Sequence, residues 1–466
     1  MSPSAMYALI VLFAINLMNF FDRQIIGGVG EGIRREWALS DTALGLLGTV
    51  FTLLYAVFGL PLGRLSDKTQ RRRILSAGVF LWSLLTAASG VARTFGQLIV
   101  ARLGVGVGEA TCSPASTSLI GDLFPTTWRG RAMAIWMLGL PLGLGLANGA
   151  GGWIQQNWGW RKAFFVAAVP GILCAIAALA VREPPRGTVE EHAVGDRCRA
   201  GNPFALVLSI PTMWWVIASG ALHNFNMYAL GAFLAPFLIR YHHMSFVGAG
   251  WTAAAVYGFS GILGLVAGGT LADRLSRRRI DGRLVVACGS IVICAPLMVF
   301  GLMRPRGDVV GFALLMGAGC GVMYAYYSTV YSTIHDVVEP SLRGTAMALY
   351  FCAMYLLGAS LGPVGTGLVS DYFTFQHATA AGAVAPRPFV SLIAAELRSL
   401  VGESKGFDVR ALEPFRADGL HTAMFVVPIL AGLLALVLLA ASRTVTRDVE
   451  ALRAWMRSDR APARAS

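Results

Sequence analysis

Twelve separate stretches of this chain stay apolar for about 20 residues, the length a helix needs to cross the hydrocarbon core of a bilayer. They run at approximately 5–29, 42–62, 74–95, 97–121, 132–154, 160–181, 211–239, 247–271, 283–303, 308–334, 342–371 and 420–442. In hydrocarbon every backbone N–H and C=O must be satisfied within the segment, so such stretches predict helices. Composition agrees, with 56% hydrophobic and 14% charged residues and a mean hydropathy of +0.62. A soluble chain would carry roughly a quarter charged residues. The 54 glycines suit helices that pack backbone to backbone. The first stretch runs past Ile25 with no cleavage site, so it reads as a retained helix. An all-α membrane protein is expected.

The net charge of +13 could suggest a nucleic-acid partner, but the basic residues sit at the ends of apolar segments and form no basic domain. Membrane-surface electrostatics explains them, and no nucleic acid is expected. Most Lys and Arg fall in alternate loops and the tail, which predicts both termini in the cytoplasm. The bacterial plasma membrane is the expected location. The cysteines form no CxxC and read as small packing residues.

The chain repeats itself. Gly63-Arg64-Leu65-Ser66-Asp67-Lys68, followed by Arg71-Arg72-Arg73, recurs as Gly269-Thr270-Leu271-Ala272-Asp273-Arg274, followed by Arg277-Arg278-Arg279. Asp122 and Arg129-Gly130-Arg131-Ala132-Met133-Ala134 recur as Asp336 and Arg343-Gly344-Thr345-Ala346-Met347-Ala348. Two pseudo-symmetric six-helix bundles follow, 1–181 and 211–442, with a cytoplasmic linker at 182–210 and a tail at 443–466. That is the architecture of a transporter with its site between the halves. Residues 372–419 read as a long outer loop. Within it Phe389, Leu392, Ile393, Leu397 and Leu400 keep helical spacing, which suggests an amphipathic surface helix.

The repeated loops predict an inner gate made of Gly63, Asp67, Arg71, Arg72, Asp122, Arg129, Asp273, Arg277, Asp336 and Arg343. Gly63 permits a tight turn. Asp67 is placed to face helix N-termini across the two halves, while Arg71 or Arg72 bridges to Asp122. Such a cluster locks one conformation and releases in another.

Charges inside the spans are costly and therefore mark function. Asp22 and Arg23 lie in the first span, Arg102 and Glu109 in the fourth. Arg102 and Glu109 share a helix face about 10 Å apart along the axis, too far for an easy pair. The expectation is Asp22 with Arg102, and Arg23 near Glu109. A buried carboxylate that loses and regains an arginine can bind and release a proton, so these four residues are the candidate coupling set. The second half has no equivalent charges. It offers Asn224, Asn226 and Tyr228 on the seventh span and Tyr324 and Tyr327 on the tenth, which join Asn19 as candidate cavity residues for an amphiphile.

The doubled loop resembles the signature of the major facilitator superfamily, and the likeness extends over nearly the whole chain. Gln70 departs from it, since the family often has Gly there. Asn19-Phe20-Phe21-Asp22-Arg23, Gly106-Val107-Gly108-Glu109-Ala110 with Pro114, and Pro141-Leu142-Gly143-Leu144-Gly145 resemble the Spinster family within it. The resemblance implies the twelve-helix major facilitator fold and alternating-access transport. It further implies a lysophospholipid- or sphingoid-like substrate, with a proton as coupling ion. Membrane lipids and one small amphiphile are the expected partners, and a monomer the expected unit. A drug or organic-anion carrier is the sibling reading, and a passive lipid scramblase or channel the reading of another class. The spans hold no converging His, Glu or Cys set, so no enzyme, catalytic residue, metal or cofactor is expected.

Overall fold

The computed structural model describes residues 3–184, 201–339, 342–386 and 409–458, with 388, 391 and 394 besides. Twelve helical crossings are present among them. The first six are α1 (Pro3–Trp37), α2 (Asp41–Lys68), α3 (Arg71–Val91), α4 (Phe95–Glu109 and Cys112–Leu123), α5 (Thr126–Met137 and Gly139–Trp158) and α6 (Trp160–Leu179). After a short helix at Pro203–Leu208 come α7 (Pro211–Arg240), α8 (Phe246–Ala253, a π segment Ala254–Phe259, then Ser260–Ser276) and α9 (Gly282–Leu302). The last three are α10 (Val309–Met323 and Ala325–Val337), α11 (Arg343–Ala353, a π segment Met354–Ala359, then Leu361–Ala380) and α12 (Arg416–Met424 and Val426–Ser458).

Eleven crossings are long and apolar enough to span a membrane. The exception is α4, whose break after Glu109 leaves two short pieces. Pro114 has no N–H for the carbonyl of Ala110, which explains the break. Pro141 and Pro428 stand in the same relation to the interruptions at Leu138 and Phe425. Helix starts are capped as the sequence allows: the side chains of Ser40, Thr94, Ser245 and Asp308 accept backbone N–H groups of α2, α4, α8 and α10.

The sequence repeat is repeated in packing. α1 lies on α5 as α7 lies on α11, α2 on α4 as α8 on α10, and α3 on α6 as α9 on α12. Between the halves, α1 meets α7, α2 meets α11 and α5 meets α8. We call the face carrying the start of α1 and the end of α12 the terminal face, and the opposite one the far face. At the far face the halves touch backbone to backbone. A methyl added at Gly45, Gly152 or Gly367 would meet main-chain oxygen of the other half at 2.3, 2.4 and 2.4 Å. Toward the terminal face, a methyl on Gly59, Gly121, Gly130 or Gly344 would meet nothing within 4 Å.

Two expectations change. The tail from 443 is not separate, because α12 runs on to Ser458 and buries Val445 and Val449. Asp448 on that extension accepts from Thr212 N at 2.9 Å and so caps α7, whose first residue is a proline. The outer loop is shorter than 372–419, since α11 continues to Ala380 and a 3-10 turn occupies Val409–Phe415. Phe375, Ala378 and Leu412 pack together there. The proposed surface helix through Phe389, Leu392, Ile393, Leu397 and Leu400 lies outside the described residues.

Candidate functional site

A cavity of about 630 Å³ lies between the halves, bordered by α1, α2, α4, α5, α7, α8, α10 and α11. It reaches Met133, His335 and Met347 toward the terminal face. Among the described residues that line it, Arg23 is the one Arg, Lys, Asp or Glu. The rest of the wall is mostly apolar and aromatic.

In the cavity wall, Arg23 bonds to both halves. One turn apart on α1, Asn19 and Arg23 share a face, and Arg23 Nη2 donates to Asn19 Oδ1 at 3.3 Å and to Glu109 Oε2 at 3.4 Å. Asn19 Nδ2 donates to the same Glu109 oxygen at 3.0 Å. From the other half, Tyr228 on α7 and Tyr355 on α11 accept from Arg23 Nη1 at 3.2 and 3.1 Å. The guanidinium also stacks over Tyr55 at 4.3 Å, a cation–π contact. Glu109 is fully buried behind Arg23, at the break of α4, and its Oε1 has no hydrogen-bond partner. An arginine shared between one carboxylate and two phenols can change partners without leaving the site.

The expected pair of Asp22 with Arg102 takes another form. Arg102 Nη2 donates to the main-chain oxygen of Asp22 at 3.0 Å, and both residues are buried. The Asp22 carboxylate faces Arg102, Trp82 and Thr86 and makes no hydrogen bond within ordinary geometry. None of Asp22, Arg102 and Glu109 lines the cavity; only Arg23 of the four reaches it.

Of the expected cavity residues, Asn224, Tyr228 and Tyr327 line it. Three do not. Asn19 is turned toward Glu109, Asn226 is fully buried with its amide unbonded, and Tyr324 is fully buried and donates to Tyr257 O at 2.8 Å. Residues overlooked from sequence include Gln24, Phe51, Tyr257 and Tyr355. Tyr257 and Tyr355 sit on the two π segments, a distortion that recurs at functional sites and that no composition signal announces.

At the terminal face the described ion pairs of the gate lie within one half. Arg71 is buried, pairs with Asp122 and donates to Glu183 Oε1 at 3.0 Å and Ser118 Oγ at 2.9 Å. Burial would raise the Glu183 carboxyl, but the hydrogen bonds and charge of Arg71 hold it below the usual range. Arg72 reaches Leu179 O at 3.5 Å and Arg129 reaches Gly121 O at 2.8 Å. Gly63 makes no turn, since it lies inside α2 facing Pro114, and the side chain of Asp67 lies outside the described residues. In the second half the bridging arginine is Arg283, paired with Asp336 and 3.8 Å from Asp273. The expected Arg277 is exposed, as is Arg343. The α8–α9 connection is longer than the α2–α3 connection, so counting from the loop motif falls short, whereas the first turn of α9 carries Arg283 as that of α3 carries Arg71.

Comparison with known proteins places this geometry. The model of the Major Facilitator Superfamily matches residues 12–363. "Protein spinster homolog 1" of Mus musculus is 31% identical, over 78% of this chain and 72% of the relative. The "Sphingosine-1-phosphate transporter SPNS2" of Danio rerio is 28% identical, over 78% of this chain and 76% of the relative. The crystal structure of a bacterial homolog to the human lysosomal transporter Spinster, inward-facing and unoccupied, superposes with a TM-score of 0.81 at 28% identity, covering 96% of this chain and 99% of that one.

Proposed function

This chain belongs to the major facilitator superfamily, as a transporter related to Spinster, and from that premise we propose that it carries an amphiphile with an anionic head by proton-coupled alternating access. Lysophospholipids and sphingoid phosphates are the substrate class that fits. The observation that carries the reading is the position of Arg23, the one guanidinium among the described residues of a mostly apolar and aromatic cavity, already shared between Glu109 and the phenols of Tyr228 and Tyr355. A phosphate head binds there bidentately. The acyl or sphingoid chain then lies along Met133, Met137, Met347 and Phe351, whose side chains accept an irregular apolar body. The names of the Spinster relatives support this class of cargo.

Coupling follows from competition. A phosphate that takes Arg23 leaves Glu109 buried without a cation, and a lone buried carboxylate is far cheaper neutral than charged. Glu109 therefore takes a proton when substrate binds and returns it when substrate leaves and Arg23 comes back. Substrate and proton travel together. Both termini are placed in the cytoplasm of a bacterial plasma membrane, on the basic character of the terminal-face loops. The scramblase reading is disfavoured by the closed far face, since a standing pore must open at both ends.

The test is transport in proteoliposomes. A lysophospholipid should accumulate with an imposed pH gradient and a small hydrophilic organic anion should not. Glu109→Gln should fold and lose the gradient dependence, with accumulation down at least roughly tenfold, the equivalent of about 1.4 kcal/mol. Retained gradient-driven accumulation removes Glu109 from the mechanism. Uptake of the hydrophilic anion alone replaces the lipid reading with the organic-anion one.

A further inference from the structure

The far face is sealed by ion pairs that cross the halves, Arg240 with Glu31 and Asp41, and Arg34 with Glu413. The cavity behind that seal carries a second polar pattern, which the exchange at Arg23 does not use. Four side chains of its wall, one each from α1, α2, α4 and α7, spend their hydrogens on backbone carbonyls. Gln24 Nε2 donates to Gly231 O at 2.5 Å, and Asn224 Nδ2 to Gly220 O at 3.0 Å. Thr52 Oγ1 donates to Gly48 O at 2.7 Å. Thr117 Oγ1 donates to Ser113 O at 2.8 Å and to Pro114 O at 3.3 Å.

A carbonyl can only accept, so these bonds fix which way each group points. The amide nitrogens and hydroxyl hydrogens are taken, and what remains on all four is oxygen. Asn224 shows this most plainly. It lines the cavity, is only 2% exposed, and among the described residues nothing donates to its Oδ1. A buried acceptor left unpaired is costly, so such an atom is waiting for a donor. The donors of the wall gather elsewhere, at Arg23 and at the hydroxyls of Tyr228 and Tyr355, which accept from Arg23 and keep their own O–H. On α7, Asn224 stands one turn, about 6 Å, to the terminal side of Tyr228. On α4, Thr117 lies past Glu109 toward the same mouth. One acceptor from each half therefore flanks the path along which an apolar chain would leave Arg23.

We propose that Asn224, with Thr117 on the opposite wall, reads a hydrogen-bond donor beside the phosphate of the substrate. That donor is a free hydroxyl or ammonium on the second carbon from the phosphate ester oxygen. The inference rests on the proposed binding of phosphate at Arg23. Lysophospholipids and sphingoid phosphates share this feature, as the unacylated glycerol hydroxyl in one and the ammonium in the other. Acylating the hydroxyl, as in a two-chain lipid, removes the hydrogen and leaves Asn224 Oδ1 unpaired. A site built to bond a substrate hydroxyl rejects the analogue without it far more strongly than an apolar pocket rejects a missing methylene.

The experiment is equilibrium binding of two lipids to the full-length, detergent-purified transporter. They are oleoyl lysophosphatidate and its analogue with the free glycerol hydroxyl replaced by hydrogen, which share chain, phosphate and charge. Wild type should bind the hydroxyl form about tenfold tighter or more. Asn224→Leu should shrink that ratio to about twofold or less, and Thr117→Val, which keeps the side chain's shape, to about threefold. Arg23→Gln should weaken both lipids and keep the ratio. Equal binding by wild type, with both lipids weakened in Arg23→Gln, overturns the donor-reading site and leaves Arg23 as the phosphate site. Undiminished binding of both lipids by Arg23→Gln takes the phosphate away from Arg23, and the donor-reading site falls with it. An unchanged ratio in Asn224→Leu or Thr117→Val overturns the role of that residue, so either variant decides if the other does not fold.

Discussion

The two ends of this molecule solve opposite problems with the same residue types. At the far face, arginines and carboxylates from both halves interlock, and glycines let the backbones touch. At the terminal face, the described ion pairs lie within one half, and Gly59, Gly121, Gly130 and Gly344 look onto open space. The difference teaches that charge pairs near the ends of membrane helices have no fixed meaning. Under the proposed alternating access, a pair within a half braces a bundle throughout, whereas a pair between halves must break.

Steric substitution breaks the comparison most sharply. Gly45→Val places its new side chain against the Pro363 carbonyl, where even a methyl would sit at 2.3 Å. Overpacking of this kind costs about 1–3 kcal/mol or more, so the far face should stay ajar and transport should fall by about tenfold or more. Gly344→Ala at the terminal face should leave transport within about twofold, and substituted-cysteine accessibility on each face would report both. Equal effects at the two sites would erase the distinction between tight and open ends.

The brace in the second half gives a smaller effect. Arg283→Gln removes the pairing with Asp336 and Asp273 and should lower thermal stability by ~1 kcal/mol, as partly exposed pairs do. Arg277→Gln should do almost nothing. A melting series in detergent distinguishes them, and the reverse ranking would restore Arg277 as the gate residue.

The smallest effect belongs to Glu183. Because Arg71 holds its carboxyl below the usual range, the folded form favours the charged state. The stabilisation is therefore fully present above the ordinary carboxylate range and is lost as pH falls through the depressed value. Glu183→Gln should remove that acid-side loss at a cost of about 0.5 kcal/mol at neutral pH. A melting temperature followed from pH 7 to about pH 3, where ordinary carboxylates titrate, should run flatter in the variant. Identical slopes would show that Glu183 does not share in the Arg71 brace.

Much of the fold is legible in the sequence because hydrocarbon is an unforgiving solvent. Twelve apolar runs, the loop repeat, and four charges set inside spans all stand out along the chain. The repeat even points to the meeting of Arg23 with Tyr228, since internal symmetry brings equivalent positions of α1 and α7 together. Other features are silent for physical reasons. Glu31, Arg34 and Arg240 sit at helix ends, where charge is ordinary, so nothing marks them as a network. Tyr55 and Tyr355 look like any aromatic in a membrane helix. Arg283 is hidden by a longer connection, and Tyr324 sits at the interruption of α10, which periodicity cannot resolve. The break of α4 beside Glu109 has a visible cause in Pro114, but its consequence, an acid placed behind Arg23, emerges only in three dimensions.

The most direct measurement of the central claim is proton uptake on substrate binding. Adding a lysophospholipid to the detergent-purified transporter in unbuffered solution should draw in roughly one proton per bound lipid, as expected if one group changes state, and Glu109→Gln should draw in none while still binding. Binding without proton uptake in the wild type, or undiminished uptake in Glu109→Gln, would contradict the exchange of Glu109 for substrate at Arg23.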